Sequence, residues 1–389
     1  MNILWMYDQP ITPERGGTER ATCLISKGLK QFNHTTIGFL MIDQDTRKIF
    51  FNQDTEVVDL YSFLVEKQID IVVNQIGFSS WLLVEFLNKG GKQWRNEGGR
   101  IITIMHFDPV FPRNTAHNLL LDWHQLPFYR KLKRMIRIIL LPRENYRTFL
   151  YHKKAYQLLY RLSDRYILLS AMHIPSFKKI TELSDVSKIS AIPNVLTFDD
   201  ISTLEELQQK EPIALIVSRL DEPQKRISIS LKCWKQIQNL PQTAGWKLQI
   251  IGDGNDVDYY RRYIKKNNLQ RVEMLGKQNP DEYYKKASIF LMTSSAEGWG
   301  LTLTESLERG VVPITMNSSP SFADILKGDL DNLVKNNDIE AFKHRILEMM
   351  SNEQLRRSKA EAALQRVKRF SSERICSIWS VLINEVCEK

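Results

Sequence analysis

The stretch TSSAEGWGLTLTESLERGVVPI, residues 293–314, decides how this chain is read. It follows SIFLM (288–292), an apolar run of buried-strand length, and ends inside a second such run, VVPITM (311–316). Between the runs a loop with Gly298 and Gly300 gives way to a helix expected to start near Leu301. Glu297 stands in the loop and Glu305 on the helix, with seven residues between them. Strand, loop, helix and strand in that order make the unit of a parallel α/β sheet.

Working outward, the same alternation fills the chain. NILWMY (2–7), TIGFLM (36–41), DIVVN (70–74), RIITIM (100–105) and RYILLS (165–170) form a first series of strand candidates. After the polar stretch DDISTLEELQQKEP (199–212) comes a second: IALIVS (213–218), KLQII (247–251), VEML (272–275), SIFLM and VVPITM. We therefore expect an α/β fold of two Rossmann-like α/β/α domains, parallel sheets facing a central cleft. The borders are drawn at 1–198 and 199–372, with a closing helical segment at 373–389.

Ligands of open α/β sheets sit beyond the carboxyl ends of the strands, so the loops there are the places to look. The first, DQPITPERGGTERA, sets Gly16 and Gly17 just before a helix expected near Thr18. Free amides at a helix start suit a phosphate. The second, MHFDPVFP, puts His106 at the end of a buried strand, where an imidazole can donate to a hydroxyl or exchange protons. The third, SRLDEPQKR, holds Arg219 and Lys225, a pair able to grip phosphates. The fourth is the opening stretch, whose carboxylates can accept from vicinal hydroxyls. Taken singly, each loop also has a plain reading: a turn, a core histidine, two solvated cations, a surface and a helix glutamate.

Composition is that of a soluble enzyme, with 43% hydrophobic and 25% charged residues and a formal charge of +9. That charge favours an anionic partner. Cys23, Cys233, Cys376 and Cys387 have no metal-ligand or disulfide spacing, and MNILWMYDQP is not a signal peptide, so a cytoplasmic location is expected. No run reaches the roughly 18 apolar residues that span a bilayer. Basic residues crowd 128–161, where Glu144 is the single acid, interleaved with Met135, Ile136, Ile138, Ile139 and Leu140. Three readings stand: helices with a solvated basic face, docking on an anionic membrane at its inner face, and nucleic acid, for which no recognised motif appears. Two Asp-x-Asp matches, Asp256-Val-Asp258 and Asp329-Leu-Asp331, raise metal binding. Helix capping accounts for the first, and no metal site is expected.

Taken together the loops resemble the retaining family-4 glycosyltransferases of the GT-B fold (glycosyl transferases group 1). SSAEGWGLTLTESLERGVVPI is similar to that family's glutamate–seven–glutamate signature with its Gly-x-x-Pro, and IVSRLDEPQKR to its Arg…Lys clamp. SDRYILLS, AIPNV, IIGDG and the Gly16-Gly17 loop follow in the expected order. The resemblance implies a hexose moved from a nucleotide-diphosphate sugar, UDP before GDP, to a glycan or lipid-linked acceptor in surface polysaccharide or lipopolysaccharide synthesis. Retention of configuration and no cofactor or metal are part of it. Gly16 and Gly17 would lie against the diphosphate or reaction centre, and His106 against the transferred sugar. Arg219 and Lys225 would hold the diphosphate, Glu297 the sugar and Glu305 the ribose. The backbone after Gly276 would meet the base, with Gly298, Trp299, Gly300 and Leu301 completing the donor loop. Ser218, Arg226 and Trp299 depart from the family's usual Gly, Gly and Phe. A nucleotide-sugar epimerase would need extra acid/base carboxylates, and a non-catalytic scaffold should have lost some of Arg219, Lys225, Glu297 and Glu305, yet all are present.

Overall fold

The computed structural model describes residues 1–13, 16–110 and 128–388. Residues 14–15 of the first loop and 111–112 of the second lie outside the described residues. Contacts divide the chain into two units, Met1–Ile192 with Trp379–Lys389, and Pro193–Ile378.

The first unit holds β1 (Asn2–Tyr7), β2 (Thr35–Ile42), β3 (Ile49–Phe51), β4 (Thr55–Glu56), β5 (Ile71–Asn74), β6 (Arg100–Met105), β7 (Arg165–Leu168) and β8 (Ile189–Ala191). They form one sheet in the order β4-β3-β2-β1-β5-β6-β7-β8. The central strands are buried along their length because helices cover both faces, which explains their unbroken apolar runs. The sheet is not wholly parallel, as the sequence led us to expect: β2–β3 and β3–β4 pair antiparallel. The inner strand β3, apolar and with Ile49 in the core, and the edge strand β4 have only three and two residues, too few for periodicity to give a sign of them. The closing helix, Ser372–Cys387, brings Trp379 edge-on to Trp5 at 6.2 Å, and Ser380 Oγ lies 2.8 Å from His34 Nε2.

The second unit holds β9 (Glu211–Val217), β10 (Lys247–Ile251), β11 (Val272–Gly276), β12 (Ala287–Met292), β13 (Val312–Asn317) and β14 (Leu333–Lys335), ordered β11-β10-β9-β12-β13-β14 and parallel throughout. Its core is built on Trp234, Leu231, Leu248, Ile289, Ile314 and Phe342. The stretch 199–212 is more than a polar connector: Leu207 is buried in this core and Glu206–Gln209 forms a 3-10 turn. The basic segment is a single 35-residue helix, Phe128–Leu162, with Pro142 inside it.

Candidate functional site

Strands β9 and β12 are parallel neighbours, so the loops leaving their carboxyl ends run side by side. They are laced together. Ser295 N donates to Gln224 O at 2.6 Å, and Thr293 Oγ1 lies 2.9 Å from Lys225 O and 3.0 Å from Arg226 O. Gln224 Nε2 donates to Ala296 O at 3.3 Å. This lacing brings Lys225 Nζ to 2.5 Å from Glu297 Oε1, with both side chains largely buried. Arg219, on the same loop, is exposed. Its guanidinium donates to Gln224 Oε1 at 2.6 Å and stands 3.4 Å from Asp221. Of the sequence-derived residues, Lys225 and Glu297 meet, with Arg219 one hydrogen-bonded neighbour away. A narrow cavity lined by Ser218, Lys225, Thr293, Ser294 and Thr302, among others, lies at these strand ends.

Two residues to which the sequence reading gave no part in the site build this loop. Glu222 is buried, and its carboxylate accepts from Tyr260 OH at 2.7 Å and Ser228 N at 3.1 Å as well as from Ser228 Oγ. Arg226 sits in the left-handed region at φ 49°, where a Cβ is costly. Its guanidinium donates to Thr293 O and Ser294 O at 2.8 Å each, and to Asn337 Oδ1 at 2.6 Å and Asn336 Oδ1 at 2.7 Å. The turn that the sequence placed in question because arginine replaces glycine thus forms, anchored by that arginine. Ser218 fits as well, donating its amide to Ile251 O at 3.0 Å. For Arg226 a positive φ signals the role, and side-chain type does not reveal it.

Beyond Glu297 the chain turns at Gly300 (φ 93°) into the helix Leu301–Glu308. A helix start leaves amides without intrahelical partners, and Leu301 opens it here. Trp299, expected at the donor loop, turns its indole inward: it is buried and packs edge-on against Phe370 at 5.1 Å. The ring thus packs away from the loop's surface, and the loop presents the Trp299 backbone. Glu305 is buried to 1% exposure, with Tyr284 OH 3.3 Å from its Oε2. Gly276 closes β11 at φ 71°, its carbonyl accepting from Gly252 N at 2.9 Å. At the far end of the same helix, Glu308 accepts from the amides of Thr197 (3.0 Å) and Phe198 (2.9 Å), and burial pushes its carboxyl up to about 8.

In the first unit the helix starts at Gly17, with Gly16 as its extended N-cap. His106 is buried at the end of β6. Its Nε2 is 2.7 Å from Gln75 Oε1, to which Thr22 Oγ1 also approaches at 2.8 Å. Burial lowers the imidazole to about 4, so it is neutral near pH 7. Gln75 and Thr22 were not foreseen, because they lie 31 and 84 residues away in sequence.

Neither Asp-x-Asp match is a pair of free carboxylates. Asp256 is the N-cap residue of its helix and Asp258 lies in the first turn, as the dipole reading has it, but the Asp256 side chain accepts from Glu222 N at 2.7 Å and makes no capping hydrogen bond, and Asp258 faces Arg261 at 3.7 Å. Asp329 is buried against Lys359. Among the described residues no group of three or more His, Cys, Asp or Glu side chains could hold a metal ion.

The architecture is the GT-B fold of glycosyltransferases, two α/β units built on largely parallel sheets. Anabaena HepE, solved with UDP-glucose, superposes with a TM-score of 0.68 at 14% identity, over 99% of this chain and 100% of that one. The lipopolysaccharide outer core galactosyltransferase WaaB gives 0.65 at 18% identity, over 99% of both chains. Residues 198–366 match the family model of glycosyl transferases group 1. The amylovoran biosynthesis glycosyltransferase AmsD of Erwinia amylovora is 28% identical over 223 residues, 57% of this chain and 60% of its own length. An α-1,4-N-acetyl-D-galactosaminyltransferase of Campylobacter jejuni, whose name specifies a PP-undecaprenol-linked acceptor, is 28% identical over 52% of this chain and 56% of its own. Lipopolysaccharide 1,6-galactosyltransferase of Escherichia coli is 34% identical over 129 residues, 34% of its length. This chain therefore covers less than two thirds of each of these curated relatives.

Proposed function

We propose that the protein transfers a hexose from a nucleotide-diphosphate sugar, UDP in preference to GDP, to a glycan or lipid-linked acceptor in surface polysaccharide or lipopolysaccharide synthesis. The observation that carries this reading is the Lys225–Glu297 pair with Arg219 beside it, at the carboxyl ends of β9 and β12. Fixed cations there stabilise the charge that grows on a departing diphosphate, with no call on a metal. Glu297 accepts from the sugar hydroxyls and Glu305 from the ribose. Gly276 and the backbone of Gly298, Trp299, Gly300 and Leu301 complete the donor contacts. In the first unit Gly16 and Gly17 serve the diphosphate, and neutral His106 offers a hydrogen bond to the transferred sugar. Retention follows if the acceptor hydroxyl attacks the face the diphosphate leaves, its proton passing to a donor-phosphate oxygen. No protein nucleophile is then needed.

The relatives that act on lipopolysaccharide and on an undecaprenol-linked glycan favour work at the inner face of a membrane. Among the described residues no helix is long and apolar enough to cross one, and the protein would reach its acceptor from the surface.

Thermal shift with nucleotide diphosphates and nucleotide sugars, with and without chelator, tests the donor reading. A ligand at 100 times its dissociation constant adds about 2.7 kcal/mol of stability. A selective shift by one nucleotide family that survives chelator is expected, and no shift from any of them would sink the reading. An inverted product anomer, seen by NMR, would overturn retention alone.

A further inference from the structure

The helix Phe128–Leu162 has two halves whose apolar faces point in different directions. In the carboxyl half Ala155, Tyr156, Leu159 and Tyr160 are buried in the core of the first unit, with His152 beside them. At about 100° per residue these positions mark one sector of the helix. In the amino half Phe128, Leu132, Met135, Ile136, Ile139 and Tyr146 also share one sector, roughly 130° from the first by the same count. That second stripe is exposed, Phe128 to 82% and Ile139 to 75%, with the other four at half or more. Leu141 lies in this half but in the core sector, and it is buried. Single exposed apolar side chains are ordinary, whereas a contiguous stripe marks a surface that something covers.

Charge identifies what covers it. Residues 128–151 contain seven lysines and arginines (130, 131, 133, 134, 137, 143 and 147) and one acid, Glu144. That acid stands 3.3 Å from Arg137, both exposed. Two copies of so basic a helix repel each other, which disfavours self-association through the stripe. A nucleic acid would use the cations and leave the apolar stripe in water. An anionic lipid surface takes both, the apolar side chains below the headgroups and the lysine and arginine heads among them.

We propose that the amino-terminal half of this helix, about 36 Å long, lies in the headgroup region of an anionic bilayer. Leu132, Met135, Ile136 and Ile139 enter the acyl boundary, with Arg143 and Arg147, which flank the stripe by the same count, at the phosphates. The inference deepens the lipid-linked-acceptor reading above and rests on it for its purpose.

The test is flotation of the full chain with phosphatidylcholine vesicles, with and without about 30% phosphatidylglycerol. The wild type is expected to float with anionic vesicles and to be released by salt. Ile136→Ser with Ile139→Ser should cut the bound fraction at least about tenfold, and Arg143→Glu with Arg147→Glu should do likewise. All four positions are exposed, so melting temperatures should match the wild type. Wild-type protein that stays soluble with both vesicles, or serine variants that bind as the wild type does, would overturn the proposal. So would concentration-dependent dimers that Ile139→Ser abolishes in a chain that ignores vesicles, since the occupant is then a second copy. A UDP thermal shift on the same variants separates the two readings. Flotation lost with the UDP shift intact supports docking by this stripe, and flotation intact with no UDP shift in the wild type supports docking while sinking the donor site.

Discussion

Replacing Arg226 by alanine and by glycine should separate two things this residue does. Either change removes the four hydrogen bonds that hold the Lys225 loop to residues 293–294 and 336–337. A hydrogen bond to a charged group contributes about 1.5–3 kcal/mol, and bonds sharing one guanidinium are not additive, so the set is taken at about 3 kcal/mol. The backbone at φ 49° adds a second effect. Alanine keeps the left-handed cost and glycine does not, a difference of about 1 kcal/mol net of glycine's greater unfolded-state freedom. For a unit of this size 1 kcal/mol moves Tm by about 2–4 °C. Arg226→Ala should therefore melt about 6–12 °C below the wild type and Arg226→Gly about 2–4 °C above the alanine variant. Because Lys225 and Glu297 depend on the same loop, both variants should bind UDP about tenfold more weakly by titration calorimetry, a loss of about 1.4 kcal/mol. Equal melting temperatures for the two variants would refute the strain argument. Unchanged UDP affinity in a destabilised variant would refute the positioning argument.

Lys225→Ala should weaken UDP by about 10- to 150-fold, the equivalent of one charge-assisted hydrogen bond; titration showing wild-type affinity would remove Lys225 from the donor site. Glu308 is raised from 4.5 to about 8, so the native state keeps a proton that the unfolded chain has lost, and stability should fall as pH rises from about 5 to about 8. Glu308→Gln should flatten that slope in melting curves, and parallel slopes would contradict the assignment. His106 is lowered from 6.5 to about 4; the stability held by its neutral form is complete above about 6.5 and lost as pH falls toward 4. His106→Gln should lose that acid-side decline, and a pH–rate inflection near 6.5 that disappears in the variant would show the imidazole titrating where burial forbids it. Gly300→Ala places a Cβ at φ 93° and 3.0 Å from Phe322, and should lower Tm by several degrees, about 1–2 kcal/mol; an unshifted melt would show that the turn relaxes.

The sequence carried the fold where apolar runs are long enough to be buried on both faces. NILWMY, RIITIM and KLQII are strands with the ends the pattern gives them. It was silent on Ile49–Phe51, Thr55–Glu56 and Ile189–Ala191, whose two or three residues are too few to show a period. At the candidate site the charged groups were legible as types in loops, because chemistry needs Lys, Arg and Glu there. The groups that position them were not. Arg226 reads as a departure from glycine until its φ and its acceptors are known. Glu222 and Gln75 act through partners distant in the chain, and no local pattern encodes such pairs. Trp299 adds the converse case: its place in the motif is a ligand loop, while its ring packs on Phe370, a contact set by residues outside the motif.

The long basic helix also behaves as a shaft with a fixed phase. One end is keyed into the first unit through Tyr156, Leu159 and Tyr160, so the length between Leu141 and Tyr151 sets which way the outer stripe faces. A single-residue insertion there turns the stripe by about 100°, whereas seven residues bring it back to within about 20° while lengthening the shaft by about 10 Å. Length changes in this helix are therefore a dial: steps of seven change reach, steps of one change aim, and only the first kind leaves the outer surface presented as it is now.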